Sequence, residues 1–133
     1  LLAAEAHYQA LCGLLADLFE HFGIRTSAQT VQGSFCDGRY NLAAAGRKIA
    51  GTAQHWQRDP SAPNRYRVLS HAVILAADPA TLTERANRFE QALGSDTRYR
   101  ADKTTSLLEL AGANGAASLA ALQAIIKTHC TIN

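Results

Sequence analysis

Cys36-Asp37-Gly38-Arg39-Tyr40-Asn41-Leu42-Ala43-Ala44-Ala45-Gly46-Arg47-Lys48-Ile49-Ala50-Gly51-Thr52-Ala53-Gln54 places one lysine between two glycines in a strand-like run. It reads as two strands, Tyr40 to Ala45 and Arg47 to Trp56, joined by a short turn near Gly46. Gly46 suits a tight turn and Gly51 a close backbone approach within a strand, since both places favour a residue without a side chain. Strict alternation places Lys48, Ala50, Thr52 and Gln54 on one face and Ile49, Gly51 and Ala53 on the other. The Lys48 ammonium then stands on a surface of small residues with room for a ligand. The plainer reading is an ordinary hairpin carrying a solvated lysine.

Upstream, Tyr8, Leu11, Leu15, Leu18 and Phe22 recur at helical spacing and predict a helix from Ala3 to Phe22, stopped by Gly23. Ile24 to Val31 reads as a strand, and Gly33 to Gly38 as a loop that exposes Cys36. Pro60 and Pro63 make Gln57 to Asn64 a surface loop, after which Tyr66 to Leu75 returns as an apolar strand. Trp56 and Tyr66 flank that loop and are expected to pack the hairpin. Asp78-Pro79 has the form of an N-cap followed by a first-turn proline, so a second helix follows, with Leu82, Ala86, Phe89 and Leu93 as its buried face and Gly94 at its end. Ser106 to Leu110 suits a short helix and Ala116 to Thr128 a last one, with Leu119, Leu122 and Ile126 as its apolar face. A helix, then strands in hairpins, then helices gives an α+β fold: a largely antiparallel sheet with flanking helices, in one domain over residues 1–133.

At 47% hydrophobic and 18% charged, the composition is that of an ordinary globular domain. A formal charge of +2, evenly spread, gives no argument for nucleic acid as a partner. No segment approaches the ~20 consecutive apolar residues that cross a bilayer. Leu1 to His7 lacks a basic region and carries Glu5, so no membrane partner and no secretory signal are expected. Cys12, Cys36 and Cys130 form neither a disulfide framework nor a metal-ligand pattern, which points to a reducing compartment, most simply the cytosol, and to no bound metal. Cys12 falls among leucines and is expected to be buried and inert, Cys130 to be a tail residue. With no methionine and a start at Leu1, the sequence reads as a portion of something longer.

Gly46-Arg47-Lys48-Ile49-Ala50-Gly51-Thr52-Ala53-Gln54 resembles the lysine motif of the lipoate-protein ligase and octanoyltransferase family, within the biotin and lipoate ligase superfamily. Leu69-Ser70-His71-Ala72-Val73-Ile74-Leu75 resembles the strand that follows in that family, and Thr104-Thr105-Ser106-Leu107-Leu108-Glu109-Leu110 the segment that closes its catalytic domain. The arginine-rich turn and glycine-rich loop of the family have no counterpart here, so the resemblance is to the second half of that catalytic domain.

The resemblance implies a lipoate-protein ligase-like enzyme. With ATP and Mg2+ it would convert lipoate or octanoate to an acyl-adenylate and pass the acyl group to a lysine of a lipoyl carrier domain. The alternatives are an ATP-independent octanoyl or lipoyl transferase using Cys36 as thioester nucleophile, and a non-catalytic partial module. Lys48 would stabilise charge developing at the acyl carbonyl and phosphate. Cys36, followed by Asp37 and Tyr40, echoes the order around the family's thioester-forming cysteine, though with a shorter spacer before the lysine; otherwise it is an unreactive loop thiol. Asn41 aligns with a polar position near the nucleotide and His71 with a histidine lining the acyl pocket, whereas their plain readings are a strand-edge residue and a core histidine. Gly46, Arg47, Gly51, Thr52 and Gln54 complete the ligand-binding set, the last two as hydrogen-bond donors on the Lys48 face. His7, His21, His55 and His129 show no metal spacing.

Overall fold

The computed structural model describes residues 2–112 and 119–129. Helix α1 (Leu2–Glu20) is followed by an antiparallel sheet of β1 (Ser27–Ala28), β2 (Leu42–Ala44), β3 (Arg47–Arg58) and β4 (Tyr66–Ile74), in that spatial order. Helix α2 (Pro79–Ala92), a 3-10 turn (Ala101–Lys103), α3 (Leu107–Ala111) and α4 (Leu119–His129) complete the described chain. This is the expected α+β architecture with helices flanking an antiparallel sheet. Residues 113–118, which include the expected start of the last helix, and Cys130 lie outside the described residues. Among the described residues no helix is long and apolar enough to cross a membrane.

The core lies between α1 and one face of the sheet. Cys12, Leu15, Leu18, Phe19 and Phe22 of the first helix and its end pack with Leu42, Ala44, Ile49 and Ala50 of the strands, closed by Leu107, Ala111 and Leu122. Gly23, at a positive φ of 69°, turns the chain out of the helix where a side chain would be strained. Ala45 and Gly46 both have positive φ, as a two-residue type I′ turn requires, and connect β2 to β3. Trp56 and Tyr66 meet edge-on at 6.1 Å on the long β3–β4 hairpin, as expected of residues that pack it. Leu122 is buried as expected of α4, while Leu119 is half exposed.

Three local expectations are corrected. The strand expected over Ile24 to Val31 is only Ser27–Ala28, because β2, its partner, offers just Leu42 and Ala43 to pair with. The apolar stripe expected to be the buried face of α2 points outward: Leu82, Phe89 and Leu93 are exposed, and Pro79 and Thr83 are buried instead. The inward side of α2 is polar because it satisfies the backbone of the irregular segment after it, with Asn87 bonding both main-chain groups of Tyr99.

The third correction concerns the parity of β3. Ala44 pairs with Arg47 and Ala43 with Lys48, but Leu42 pairs with Ala50, so Ile49 is an extra residue. This β-bulge reverses the alternation, and Lys48 changes sides. It shares a face with Gly51 and Ala53, not with Ala50, Thr52 and Gln54. A Cβ built on Gly51 would lie 3.3 Å from Lys48 Nζ.

Candidate functional site

Across the β3–β4 ladder Gly51 faces Val73, Ala53 faces His71 and His55 faces Leu69, so these residues share the face turned away from α1. Leu69 and Val73 are exposed there, as is His71, which is therefore not a core histidine. At the bulge end this face opens into a cavity of about 230 Å3, lined by Phe35, Cys36, Asn41, Lys48, Gly51, Thr52, Ala53, His71, Val73 and Leu75.

The loop between β1 and β2 covers that end. Lys48 is 2% exposed, and its Nζ donates to the carbonyl oxygens of Phe35 (2.7 Å) and Cys36 (3.0 Å). The ammonium also stands 5.0 Å from the centroid of the Phe35 ring, within cation–π range. Asn41 Nδ2 donates to the same Cys36 carbonyl at 3.0 Å, and Asp37 Oδ1 accepts from Val31 N at 2.9 Å. Held from both sides, Cys36 takes a left-handed φ of 49° and leaves a free, exposed thiol. From the other direction, Thr105 N donates to the Lys48 carbonyl at 2.9 Å, and Thr104 forms a parallel bridge with Lys48. The three sequence motifs, far apart in the chain, thus meet around one lysine.

Burial lowers the pKa of the Lys48 ammonium from its ordinary 10.5, opposed by negative charge at Cys36 and Asp37. Between the lowered folded value and the unfolded one, the unfolded chain binds more protons at this site. Stability therefore rises with pH across that window. Urea titrations between pH 8 and 10.5 are expected to show wild type gaining on Lys48→Met as pH rises. A constant difference would mean that burial does not perturb the ammonium.

The remaining sequence candidates fall elsewhere. Thr52 lines the cavity but spends its hydroxyl on Tyr40 O at 2.7 Å. Gln54 faces α1, bonding Ala4 O at 2.9 Å and accepting from Trp56 Nε1. Arg47 pairs with Glu109 at 3.5 Å, and Gly46 lines a separate polar cleft with Gly33, Arg100 and Lys103. Phe35, Ala53, Val73 and Leu75 also line the cavity, although nothing in the sequence marks the last three as site residues. An aromatic next to a loop cysteine was the available signal for Phe35. Cys12 is buried, as expected.

Ser34, two residues before Cys36, is 1% exposed and its hydroxyl has no hydrogen-bond partner among the described residues. An unpaired buried hydroxyl costs about 1–3 kcal/mol, so Ser34→Ala is expected to gain about 1 kcal/mol in a urea titration. A loss would place an ordered water on that hydroxyl.

Among the described residues no group of three or more His, Cys, Asp or Glu could hold a metal ion. Among the described residues the cavity lining holds no carboxylate, and the Lys48 ammonium is already bonded to two carbonyls. These residues do not by themselves fit a magnesium-bound triphosphate. They suit a narrow apolar ligand, since the cavity is smaller than the ~300–1,000 Å3 of sites for larger molecules.

No protein-family model matches the chain. It is 46% identical over 124 residues to an uncharacterized protein of Cupriavidus necator, an alignment covering 86% of this chain and 49% of that protein. It is 38% identical over 116 residues to the octanoyl-[GcvH]:protein N-octanoyltransferase of Kyrpidia tusciae, covering 84% of this chain and 40% of the relative. A protein of the same name from Geobacillus kaustophilus is 38% identical over 53 residues, 40% of this chain and 19% of its own. The chain spans about half the length, or less, of the curated relatives it matches.

Proposed function

This chain belongs to the lipoate-protein ligase and octanoyltransferase family, and on that premise we propose that it is the nucleophile-bearing part of an acyltransferase that moves a medium-chain acyl group through Cys36. The observation that carries this reading is the free, exposed Cys36 thiol at an apolar cavity, with its own carbonyl bonded to the Lys48 ammonium. The donor would be an octanoylated or lipoylated carrier protein and the acceptor a lysine of a lipoyl domain. In the first step the Cys36 sulfur, as thiolate, attacks the acyl carbonyl carbon. A C–S bond forms, the bond to the carrier breaks, and the leaving atom of the carrier takes up a proton. In the second step the acceptor amine attacks the thioester carbon, releasing the thiolate and losing a proton as the amide forms.

Lys48 serves this chemistry through position and charge. Its two bonds hold the loop, and an ammonium has a third donor. Positive charge in a site shielded from water stabilises the oxyanion of each tetrahedral intermediate. His71 and Ala53 would flank the acyl chain on the sheet face. The thiol must stay reduced, which favours a reducing compartment such as the cytosol.

The adenylating reading rests on the resemblance, whereas the octanoyltransferase relatives' names describe transfer from an acylated protein. A partial module has one observation in its favour. From Val73 at the cavity rim, 62% exposed, to Leu69 beyond it, 61% exposed, the sheet face is open, as fits one part of a biotin and lipoate ligase-like catalytic domain.

The deciding experiment is intact-mass analysis of the full-length polypeptide, incubated either with an octanoylated carrier protein or with octanoate, ATP and Mg2+. A hydroxylamine-labile octanoyl adduct on the Cys36 peptide, formed from the carrier without ATP, is the expected result. A tightly held acyl-adenylate with no thioester would replace this reading with the ligase.

A further inference from the structure

One aromatic residue outside the cavity lining reaches the nucleophile loop through Phe35. The Tyr99 ring meets the Phe35 ring edge-on, with centroids 6.5 Å apart, and the same Phe35 ring lies under the Lys48 ammonium. Tyr99 belongs to the irregular segment between α2 and the 3-10 turn, yet it is bonded at three points. Asn87 Oδ1 accepts from Tyr99 N at 2.7 Å, Asn87 Nδ2 donates to Tyr99 O at 2.9 Å, and Tyr99 Oη donates to Glu90 Oε1 at 2.7 Å. Asn87 and Glu90 are three residues apart on α2 and so project from one side of the helix.

Helix α2 is tied in turn to the strand that carries Lys48. The buried Thr83 hydroxyl lies 3.3 Å from that of Thr104, which bridges to Lys48, and the next residue, Thr105, donates to the Lys48 carbonyl. A closed circuit of contacts therefore runs from α2 through Tyr99 and Phe35 to Lys48, and back through Thr104 to α2. The hydrogen bond to Glu90, with burial and the charges of Glu90 and Cys36, raises the pKa of the phenol, which keeps it protonated as a donor.

We propose that Tyr99 is a positioning residue for Cys36: clamped by Asn87 and Glu90, it fixes Phe35 against Lys48 and so sets the left-handed backbone that presents the thiol. This rests on the reading of Cys36 as nucleophile. The inward face of α2 is polar because it grips Tyr99, which also accounts for the inverted amphipathicity of that helix. The ring transmits the position, and the hydroxyl only anchors the ring.

The test compares wild type with Tyr99→Ala, Tyr99→Phe and Asn87→Ala in the full-length protein. It follows octanoyl thioester formation on Cys36 as kcat and KM for the octanoylated carrier, with iodoacetamide labelling of buried Cys12 reporting core opening. Misplacing a reacting group by about 1 Å costs on the order of a hundredfold. Tyr99→Ala is therefore expected to lower kcat about a hundredfold with KM for the carrier within about twofold. Tyr99→Phe, which keeps the ring, should recover most of that loss. Equal rates in Tyr99→Ala and Tyr99→Phe, or a Tyr99→Ala kcat within twofold of wild type, would overturn the positioning role alone. Absence of any thioester in wild type would overturn the acyl-transfer reading and this role with it. If Tyr99→Ala opens Cys12 to labelling, Asn87→Ala decides: a fall in kcat of about tenfold at constant KM supports the role, and no fall refutes it.

Discussion

Cys36→Ala is expected to abolish thioester formation and to lower acyl transfer by more than about a thousandfold, because the sulfur that accepts the acyl group is gone. Its effect on stability should be small. The thiol is exposed, and the groups that hold the loop bond the Cys36 carbonyl, which alanine retains. Cys36→Gly sharpens the test. A non-glycine residue at a left-handed φ of 49° carries about 1 kcal/mol of strain that glycine does not. That variant should therefore unfold at higher urea while losing transfer equally. A gain in stability coupled to a loss of activity is the signature of strain retained at a functional residue. Transfer within about tenfold of wild type in either variant would remove Cys36 from the chemistry.

Lys48→Ala should damage both the loop and the reaction. Phe35 O loses the ammonium as its donor, whereas Cys36 O keeps Asn41. An orphaned carbonyl, partly buried here, costs up to about 1–3 kcal/mol, and the void left by the side chain adds to it. Relief of the buried charge offsets part of this, since desolvation is what lowers the Lys48 pKa. The net loss is expected to be about 2 kcal/mol, read as a lower urea midpoint. Thioester formation should fall by at least about a hundredfold, because charge stabilisation and loop geometry fail together. Unchanged stability with lost activity would show that Lys48 acts by charge alone; unchanged activity would show that its role is structural.

Much of the scaffold was legible from local patterns. The stripe of α1, the two-residue turn at Ala45–Gly46, the proline-containing loop after β3 and the Asp78-Pro79 start of α2 each follow from short-range chemistry, and each stands close to where sequence puts it. Lys48, Cys36, Asn41, Gly51, Thr52 and His71 likewise stand out in the sequence, and they line one cavity. Gln54, Arg47 and Gly46 do not, and the reason differs for each. Gln54 follows the reversed alternation onto the α1 face, Arg47 is drawn to Glu109, and Gly46 is spent on the turn.

Local chemistry sets most of the helices and strands, because hydrophobic period, caps and turn residues act within a few positions of one another; the strand after Gly23 is the exception, its length set by pairing with β2. The sequence also marks the motif residues, because their identities carry the chemistry. Which way those residues point depends on contacts between distant segments. A single inserted residue at Ile49 reverses a period-two pattern, and that insertion is defined by pairing with β2, not by β3 alone. The polar side of α2 turns inward because Tyr99 and Thr104, distant in sequence, supply its hydrogen bonds. Phe35 gains its place from Lys48 and Tyr99 together, contacts that exist only once the loop, the bulge and α2 have met.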